Sequence, residues 1–424
     1  MTSIISHNNI YLHLFEREKK TPCLRFSIDE THTIYQEDTL FVKSFEAHTT
    51  SQTKSHVKGS SFPDLTMSAA ASCNKSIWLF GGFNLRFDET TNELFCFSNV
   101  QIEENCVTNI FCQHFPGPET LKDAGIPYDQ LTGLKHQKGF VPEQRMGHSL
   151  FTIGNHLILI GGHQKIWKNG KFQFQNLNEN IFVMDTNNVT WAKIEIVEGD
   201  SGLLKRSLFM SVACENTIYL TGGSLYSDNE VRRFDICEIL KVNLNIKTKT
   251  AHLSKIVLKS EAAFISSATM THKAGILYLF GGVEQKFIDG QIDVGTSGKF
   301  YTMNLEHKAM TVEIVQEEAQ DMIKVYGSSS VWFGNHTLII ISGSRPPLGS
   351  GFRSILCYTK LENREMMCEA ATCLILEKTG NVPWIQCDKC DNWIHYFCDE
   401  KIRNRKTEFK KSENYFCEEC RQCV

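Results

Sequence analysis

A short apolar run that ends in a pair of glycines recurs along the first 360 residues of this chain. It reads HLILIGG at 156–162, and similar runs are SIWLFGG at 76–82, TIYLTGG at 217–223 and ILYLFGG at 276–282. A degenerate copy, TLIIISG, lies at 337–343. The last glycines of successive runs are 80, 61, 59 and 61 residues apart. A strand-rich repeat of this period is typical of a β-propeller.

Each run is predicted to be the second strand of a hairpin. In residues 142–162, PEQRMGHSLFTIGNHLILIGG, a first strand at 147–153 meets the turn Gly154-Asn155 and a second strand occupies 156–160. The second strand is almost continuously apolar, as expected for a strand that is covered on both faces. The paired glycines allow two backbones to approach where a Cβ would clash.

Further strands are predicted after each glycine pair, beyond a variable polar loop. They lie at 93–100, 180–186, 299–305 and 354–360, and the third repeat has a fourth strand at 190–197. Four strands per repeat are what a propeller blade needs. Residues 39–45, TLFVKSF, and 11–15 are assigned to a degenerate first blade, and the polar, Pro/Gly-rich residues 111–140 to an inserted surface loop. The sequence thus predicts an all-β, six-bladed propeller over residues 1–360.

Composition points to a reducing compartment and leaves the partner class open. The formal net charge of −4 gives no global sign of nucleic acid or membrane binding. No apolar run approaches the roughly 20 residues that span a bilayer, and the first residues do not resemble a signal peptide. Seven of the 16 cysteines fall within 368–420, which favours metal binding over a disulfide framework. The cysteines of the repeats are expected to be buried thiols.

The C-terminal segment carries eight candidate metal ligands in four pairs. They are Cys368, Cys373, Cys387, Cys390, His395, Cys398, Cys417 and Cys420. Tetrahedral zinc takes four such ligands, so eight make two closed structural sites, and thiolates select against magnesium and calcium. A segment of about 53 residues is too small to fold on an apolar core alone, so zinc is expected to supply much of its stability. Cys423 has no partner in the pattern.

The order of these ligands, four Cys, one His and three Cys, resembles the PHD finger. The resemblance implies that the pairs interleave. One zinc ion would be held by Cys368, Cys373, His395 and Cys398, and the other by Cys387, Cys390, Cys417 and Cys420. Four residues separate Cys368 from Cys373 where two are commoner, which makes Cys368 the ligand that departs from the pattern.

Aromatic residues beside the ligands suggest a binding role for this finger. Trp384 lies three residues before Cys387, and Trp393 lies two before His395. In PHD fingers that read methylated histone tails, aromatic residues at these positions form walls of a cage. A trimethylammonium group is held there by cation–π attraction of about 0.5–2 kcal/mol per ring. The alternative is that Trp393 packs against the zinc site, and Tyr415 is expected to lie in the core. Asp388 and Asp391 are interpreted as solvated surface.

Residues 401–411, KIRNRKTEFKK, form the most basic short stretch of the chain. Its basic residues are Lys401, Arg403, Arg405, Lys406, Lys410 and Lys411. They are candidates for contacts with phosphates of DNA or of a phosphoinositide. A solvated loop between zinc ligands is the alternative.

The repeat RMGHSLFTIGNHLILIGG resembles a kelch repeat. Six kelch-like blades over 1–360, a short linker at 361–367 and a PHD-type finger over 368–424 resemble the accessory subunits of RAG-type recombinases and transposases (the recombination-activating protein two family). The stretches at 141–149 and 331–346 also fit that likeness. The linker is too short for the acidic hinge of vertebrate members, which favours an invertebrate or transposon-borne relative.

The resemblance implies a non-catalytic nuclear protein. Its propeller would dock on a DDE-type catalytic subunit and on DNA that flanks the cleavage site, with two copies of each subunit in a heterotetramer. The finger would read a trimethyl-lysine histone-three tail. The sequence contains no Walker loop, HExxH or GxSxG motif, and His148 beside Ser149 is interpreted as part of the repeat. A stand-alone kelch–PHD chromatin reader and a ubiquitin ligase are the alternatives, and the late histidine counts against the ligase.

Overall fold

Strands dominate the part of the chain that the computed structural model describes. The described residues are 2–6, 9–13, 23–27, 42–45, 56–59, 65–74, 76–103, 106–118, 135–168, 170–177, 179–227, 230–273, 275–288, 291–314, 324–333, 337–341, 344–345, 350–351, 355–359, 384–388, 393–399, 415–417 and 421. Ser201–Leu204 and Tyr396–Cys398 are short 3₁₀ helices. No helix within these ranges is long and apolar enough to cross a membrane.

Four successive sheets share one plan, an antiparallel meander of four neighbouring strands, and the fourth strands of sheets 2 and 3 also pair in parallel. Sheet 1 contains Ala69–Cys73, Ser76–Asn84, Glu89–Glu103 and Cys106–Phe115. Sheet 2 contains Ser149–Ile153, His156–Ile160, Ile181–Asp185 and Thr190–Glu198. Sheet 3 contains Met210–Cys214, Thr217–Thr221, Glu238–Asn245 and Thr250–Val257. Sheet 4 contains Thr269–Lys273, Ile276–Phe280, Lys299–Asn304 and Ala309–Ile314.

A fifth sheet of the same kind joins distant parts of the chain. In sheet 5, Ser329–Phe333, Thr337–Ile341 and Ile355–Thr359 form the meander. Its fourth strand is Val42–Phe45, which pairs antiparallel with Ile355–Thr359. The assignment of residues 39–45 to a first blade is therefore wrong. An apolar strand can pair with the open edge of any sheet within reach. Hydrophobicity alone therefore does not identify the sheet that it joins.

The first strands of the five sheets contact one another in chain order. Ala69–Cys73 contacts Ser149–Ile153, and the contacts continue through Met210–Cys214 and Thr269–Lys273 to Ser329–Phe333. We call these five the inner strands. The sheets therefore stand side by side around them, and the pairing of Val42–Phe45 with the last sheet nearly closes the series. This arrangement is consistent with an all-β propeller.

Shorter strands flank the five sheets. Thr2–Ser6, Asn9–His13 and Cys23–Ser27 form an antiparallel sheet, which includes part of the strand expected at 11–15. His56–Gly59 pairs with Cys106–Phe115, Leu65–Thr66 with Ser76–Asn84, and Lys138–Gly139 with Thr190–Glu198. The loop expected at 111–140 is wrong at its start, because Cys106–Phe115 continues the ladder with Glu89–Glu103. Residues 119–134 lie outside the described residues.

β-Ribbons follow the glycine pairs where polar loops were expected. They pair His163–Lys168 with Lys171–Asn176, Ser224–Ser227 with Glu230–Arg233, and Val283–Ile288 with Gln291–Thr296. Phe264–Ser266 joins the third ribbon, and Ser344–Arg345 pairs with Ser350–Gly351. In sheet 1 the second and third strands extend to a turn at 85–88. We call this turn and the first three ribbons the collar. Neighbouring members touch, as where the backbone N–H of Tyr226 donates to Asn176 Oδ1 at 2.5 Å.

The hydrophobic core lies between the sheets. Leu157, Ile158, Leu159 and Ile160 are all fully buried because side chains of neighbouring sheets cover both faces of their strand. This confirms the prediction that the second strand is almost continuously apolar because it is covered on both faces. The expected burial of repeat cysteines is also confirmed, for Cys73, Cys96, Cys112, Cys214 and Cys237.

Candidate functional site

Backbone hydrogen bonds latch each glycine pair to the next sheet. The N–H of the second glycine donates to a carbonyl that lies just before the next inner strand. The four latches run from Gly82 to Arg145, Gly162 to Arg206, Gly223 to Ile265 and Gly282 to Val325, at 2.7–2.9 Å. A Cβ on Gly161 would lie 2.6 Å from the carbonyl oxygen of Arg206. The glycine pairs therefore have the role that the sequence assigned to them, close approach of two backbones.

A second series of hydrogen bonds links one repeat to the next, just before the inner strands begin. One residue per repeat has a left-handed backbone there: Met67, Gly147, Leu208, Ser267 and Gly327, with φ between 54° and 66°. From Gly147 onward, the N–H of each donates to the carbonyl of the preceding one, at 2.7–3.0 Å. Because Gly147 turns away in this manner, the strand predicted to begin at 147 begins at Ser149. The repeats are thus joined to one another through main-chain atoms.

Two buried arginines strengthen the latches of sheets 2 and 3. The Arg145 guanidinium donates to the carbonyl of Gly161 at 2.9 Å, and that of Arg206 donates to the carbonyl of Gly222 at 3.2 Å. Burial lowers the pKa of each guanidinium to about 10, so both stay charged at neutral pH. In the next two repeats the corresponding residues are Ile265 and Val325. Their side chains cannot donate a hydrogen bond, so they contribute to the latch through the backbone carbonyl, which accepts from the glycine N–H. Sequence reasoning missed these arginines.

His148 and Ser149 lie at boundaries between sheets. His148 Nε2 donates to the carbonyl of Phe80 at 3.1 Å, and burial lowers the pKa of His148 to about 3. The hydroxyl of Ser149 lies 2.8 Å from that of Ser211 in sheet 3. Each side chain thus joins its own sheet to a neighbour, which agrees with the interpretation of GHS as part of the repeat.

The cysteine-rich segment contains a hairpin that carries both predicted cage residues. Trp384–Gln386 pairs antiparallel with Trp393–His395, and the register sets Trp384 opposite His395 and Gln386 opposite Trp393. The backbone therefore places the two tryptophans two register positions apart. Their side chains and that of His395 lie outside the described residues, so their roles as cage walls and zinc ligand stay predictions.

Two of the predicted zinc ligands come together beside this hairpin. The backbone N–H of Cys417 donates to Cys387 Sγ at 3.3 Å, and both residues are buried. The interleaved pattern sets these two on the same zinc ion, and an N–H···S hydrogen bond suits a metal-bound thiolate. Cys398 is buried as well. Part of the donor set therefore fits zinc.

The other predicted ligands cannot be placed with these three. Cys368, Cys373, Cys390 and Cys420 lie outside the described residues, as does the basic stretch at 401–411. Within the described part of the chain no three His, Cys, Asp or Glu side chains are grouped closely enough to hold a metal ion. The eight-ligand assignment stays a prediction.

Polar contacts cross-link the remaining described parts of this segment. The buried carboxylate of Asp399 accepts from the Tyr415 hydroxyl at 2.5 Å and from the Arg421 guanidinium at 2.8 Å. Asp388 and Tyr415 exchange two further bonds, Tyr415 N–H to Asp388 Oδ2 at 2.6 Å and Asp388 N–H to the Tyr415 carbonyl at 2.8 Å. Tyr415 is buried as expected. Asp388 is exposed, as expected, and it also fixes the position of Tyr415.

The geometry offers a rigid frame and a small cross-linked module. The latches hold adjacent sheets at fixed distances, which suits a platform for another macromolecule. The described part of the module brings the buried residues Cys387 and Cys417 together beside the hairpin whose backbone carries Trp384 and Trp393, and binding of a metal ion and a cationic ligand there stays a prediction. Searches against known protein families and against curated protein sequences found no match to the chain.

Proposed function

We propose that this chain is the non-catalytic accessory subunit of a RAG-type DNA recombinase or transposase. The proposed architecture is a six-bladed kelch-like propeller followed by a PHD finger with two structural zinc ions. The N-terminal strands between residues 2 and 27 would supply the sixth blade. One observation carries the proposal: a series of glycine-latched sheets, the last of which pairs with Val42–Phe45, precedes a segment in which Cys387 and Cys417 meet.

The propeller would act as a docking platform. Latches between the glycine pairs and buried backbone carbonyls hold the sheets without help from exposed side chains, so surface residues can vary to suit a partner. In the proposed complex the ring holds the DDE-type catalytic subunit and DNA beside the cleavage site. Cleavage and strand transfer then belong to the partner.

The finger would link the complex to chromatin. Zinc held by the two interleaved ligand sets would supply the folding free energy of the module and leave no open coordination position. Trp384 and Trp393 would bind a trimethyl-lysine histone-three tail, and the basic residues of 401–411 would contact phosphates. The tryptophan-bearing hairpin also favours a second candidate, a stand-alone kelch–PHD chromatin reader.

Affinity purification of the full-length chain from nuclei of its host tests the proposal. We expect a DDE-type catalytic subunit to co-purify, with a particle mass that corresponds to two copies of each subunit. A chain that purifies without such a subunit but retains histone-peptide binding would support the chromatin reader. Transfer of ubiquitin in a reconstituted assay would support a ligase, and would contradict both.

A further inference from the structure

Several polar residues of the cysteine-rich segment lie next to predicted zinc ligands in the chain. The predicted ligands form two sets, which we call the all-cysteine site (Cys387, Cys390, Cys417 and Cys420) and the histidine-containing site (Cys368, Cys373, His395 and Cys398). Asp388 and Arg421 directly follow ligands of the first set, and Asp399 directly follows a ligand of the second. Tyr415 lies two residues before Cys417. We call Asp388, Asp399, Tyr415 and Arg421 the polar network.

The main chain of Tyr415 is bound to the part of the chain that holds Cys387. The N–H of Tyr415 donates to Asp388 Oδ2 at 2.6 Å, and the N–H of Asp388 donates to the Tyr415 carbonyl at 2.8 Å. Two residues further on, the N–H of Cys417 donates to Cys387 Sγ at 3.3 Å. These three hydrogen bonds therefore lie within the predicted all-cysteine site.

The side chain of Tyr415 reaches the other site. Its hydroxyl donates to the carboxylate of Asp399 at 2.5 Å, and Asp399 directly follows Cys398. The same carboxylate accepts from the guanidinium of Arg421 at 2.8 Å. Arg421 is itself fixed to the all-cysteine site, because its backbone N–H donates to the Cys417 carbonyl at 3.0 Å. Asp399 thus joins two residues of one predicted zinc site to a ligand of the other.

Burial makes this junction hard to form in part. Asp399 and Tyr415 are each only 2% exposed. A buried carboxylate that loses its donors keeps the cost of leaving water without the compensating hydrogen bonds. Asp399 can therefore take its buried position only when both Tyr415 and Arg421 are in place. Hydrogen bonds beside a metal site also orient its ligands, and their loss lowers metal affinity by about 10- to 100-fold.

We infer that the polar network couples the two predicted zinc sites, so that the two ions bind and leave cooperatively. When Cys398 is fixed in its site, Asp399 is fixed with it and holds Tyr415 and Arg421 where the all-cysteine site needs them. The same contacts act in the reverse direction, because coupling between two sites is reciprocal. A form with one site filled is therefore scarce. This coupling rests on the proposed two-zinc finger.

Titration of the metal-free full-length protein with cobalt(II) tests the coupling. Cobalt(II) bound by four thiolates absorbs visible light differently from cobalt(II) bound by three thiolates and an imidazole, so the two sites can be followed separately. In the wild type we expect both spectra to grow together, with a Hill coefficient well above one.

Tyr415→Phe isolates the network, because it removes one hydroxyl and keeps the buried ring. In this variant the two spectra should separate into two steps, although both sites still fill at saturating cobalt. The affinity for the second ion should fall by about 5- to 150-fold, the usual range for coupled sites. Phe416→Ala is the matched control. Phe416 is the next residue and is exposed, so this change should leave cooperative filling intact.

A double-variant comparison separates coupling from general destabilisation. Cys398→Ser removes a ligand of the histidine-containing site alone, and should weaken cobalt binding at the all-cysteine site by a factor similar to that of Tyr415→Phe. The variant that carries both changes should bind no more weakly at the all-cysteine site than either single variant, because both changes disturb the same contact. A purely structural role of Tyr415 would give losses that multiply.

Four results would overturn the coupling and leave the two-zinc finger standing. These are separate filling of the two sites in the wild type, cooperative filling in Tyr415→Phe, separate filling in Phe416→Ala, and losses that multiply in the double variant. A full-length protein that contains no zinc as purified and binds no cobalt would overturn the coupling and the proposed finger together. The zinc content of the purified protein, measured by atomic absorption, therefore distinguishes the two failures.

Discussion

The five sheets and the cysteine-rich segment hold their shape by different means. In the sheets, apolar strands are covered on both faces and main-chain latches repeat from one sheet to the next. In the described part of the cysteine-rich segment, polar contacts such as Asp399 with Tyr415 and Arg421 join short pieces of chain. A repeated unit distributes its stability over many similar contacts. A small module depends on a few cross-links, and the loss of any one of them unfolds it.

The largest expected effect is metal removal, because apparent zinc-binding free energies in such modules are about 10–16 kcal/mol. Cys387→Ser, or a chelator, should unfold the cysteine-rich segment and leave the sheets intact. Calorimetry of the wild type should then show two transitions, of which one is chelator-sensitive and absent from Cys387→Ser. Cys423→Ser is the control, because Cys423 has no partner in the ligand pattern. A melt that does not respond to chelator would contradict the zinc assignment.

In the sheets, the variant that corresponds to Cys387→Ser is Gly161→Val, which should disrupt a latch. A Cβ there would lie 2.5 Å from the ring of Phe209 and 2.6 Å from the Arg206 carbonyl, and φ is +70°. Backbone strain and overpacking should together lower the free energy of unfolding by about 4 kcal/mol. Urea denaturation measures this.

Gly154→Ala separates strain from close approach. Gly154 also has a positive φ, of 56°, but a Cβ there meets no atom within 4 Å. We expect a loss of only about 1 kcal/mol from the left-handed backbone. If Gly154→Ala and Gly161→Val lost the same unfolding free energy, the latches would not depend on the close approach of two backbones.

Acid should weaken the sheets through buried histidines. Burial lowers the pKa of His148 to about 3 and that of His163 to about 4, below the usual 6.5. The unfolded chain therefore binds protons that the folded chain does not, so stability is complete above pH 6.5 and falls as the pH drops toward 4. Each histidine should account for about 2 kcal/mol at pH 5.

His148→Gln isolates one of these contributions while it keeps a donor for the Phe80 carbonyl. The difference in unfolding free energy between pH 7 and pH 5 should shrink by about 2 kcal/mol in this variant. An unchanged difference would mean that His148 is not buried in its neutral form.

The smallest expected effect concerns binding and not folding. Trp393→Ala should weaken binding of a trimethyl-lysine histone-three peptide by about 2- to 30-fold, which corresponds to the loss of one cation–π face. Zinc content should not change, and the unmethylated peptide is the control ligand. An unaltered affinity, measured by calorimetric titration, would assign Trp393 to packing.

Local patterns predicted the sheets well because each hairpin is specified by neighbouring residues. The second strand of sheet 2 was placed at 156–160, as found, since an apolar run between Asn155 and Gly161 has one reasonable interpretation. The strand predicted at 190–197 is Thr190–Glu198. The close approach of backbones at the glycine pairs was also foreseen.

Features that join distant residues were missed. Nothing near Val42 indicates that its strand pairs with Ile355–Thr359, because the hydrophobicity of a strand does not specify its pairing partner. The ribbon of sheet 2 had a usable signal, Asn169-Gly170 between two runs of alternating residues, which is typical of a tight hairpin. In the cysteine-rich segment, ligand spacing indicated the metal, but the contact of Asp399 with Tyr415 and Arg421 depends on the three-dimensional fold.

The pairing of Val42–Phe45 with Ile355–Thr359 has a consequence for biosynthesis. A ribosome makes the first of these strands early and the second only after most of the repeats have emerged. During that interval the nascent chain carries sheets whose terminal edges have nothing to pair with, and such edges promote aggregation. Completion of the last sheet is therefore a late step, and chaperones that shield unpaired strands should matter more for this chain than for a protein in which strands pair only with close neighbours in sequence.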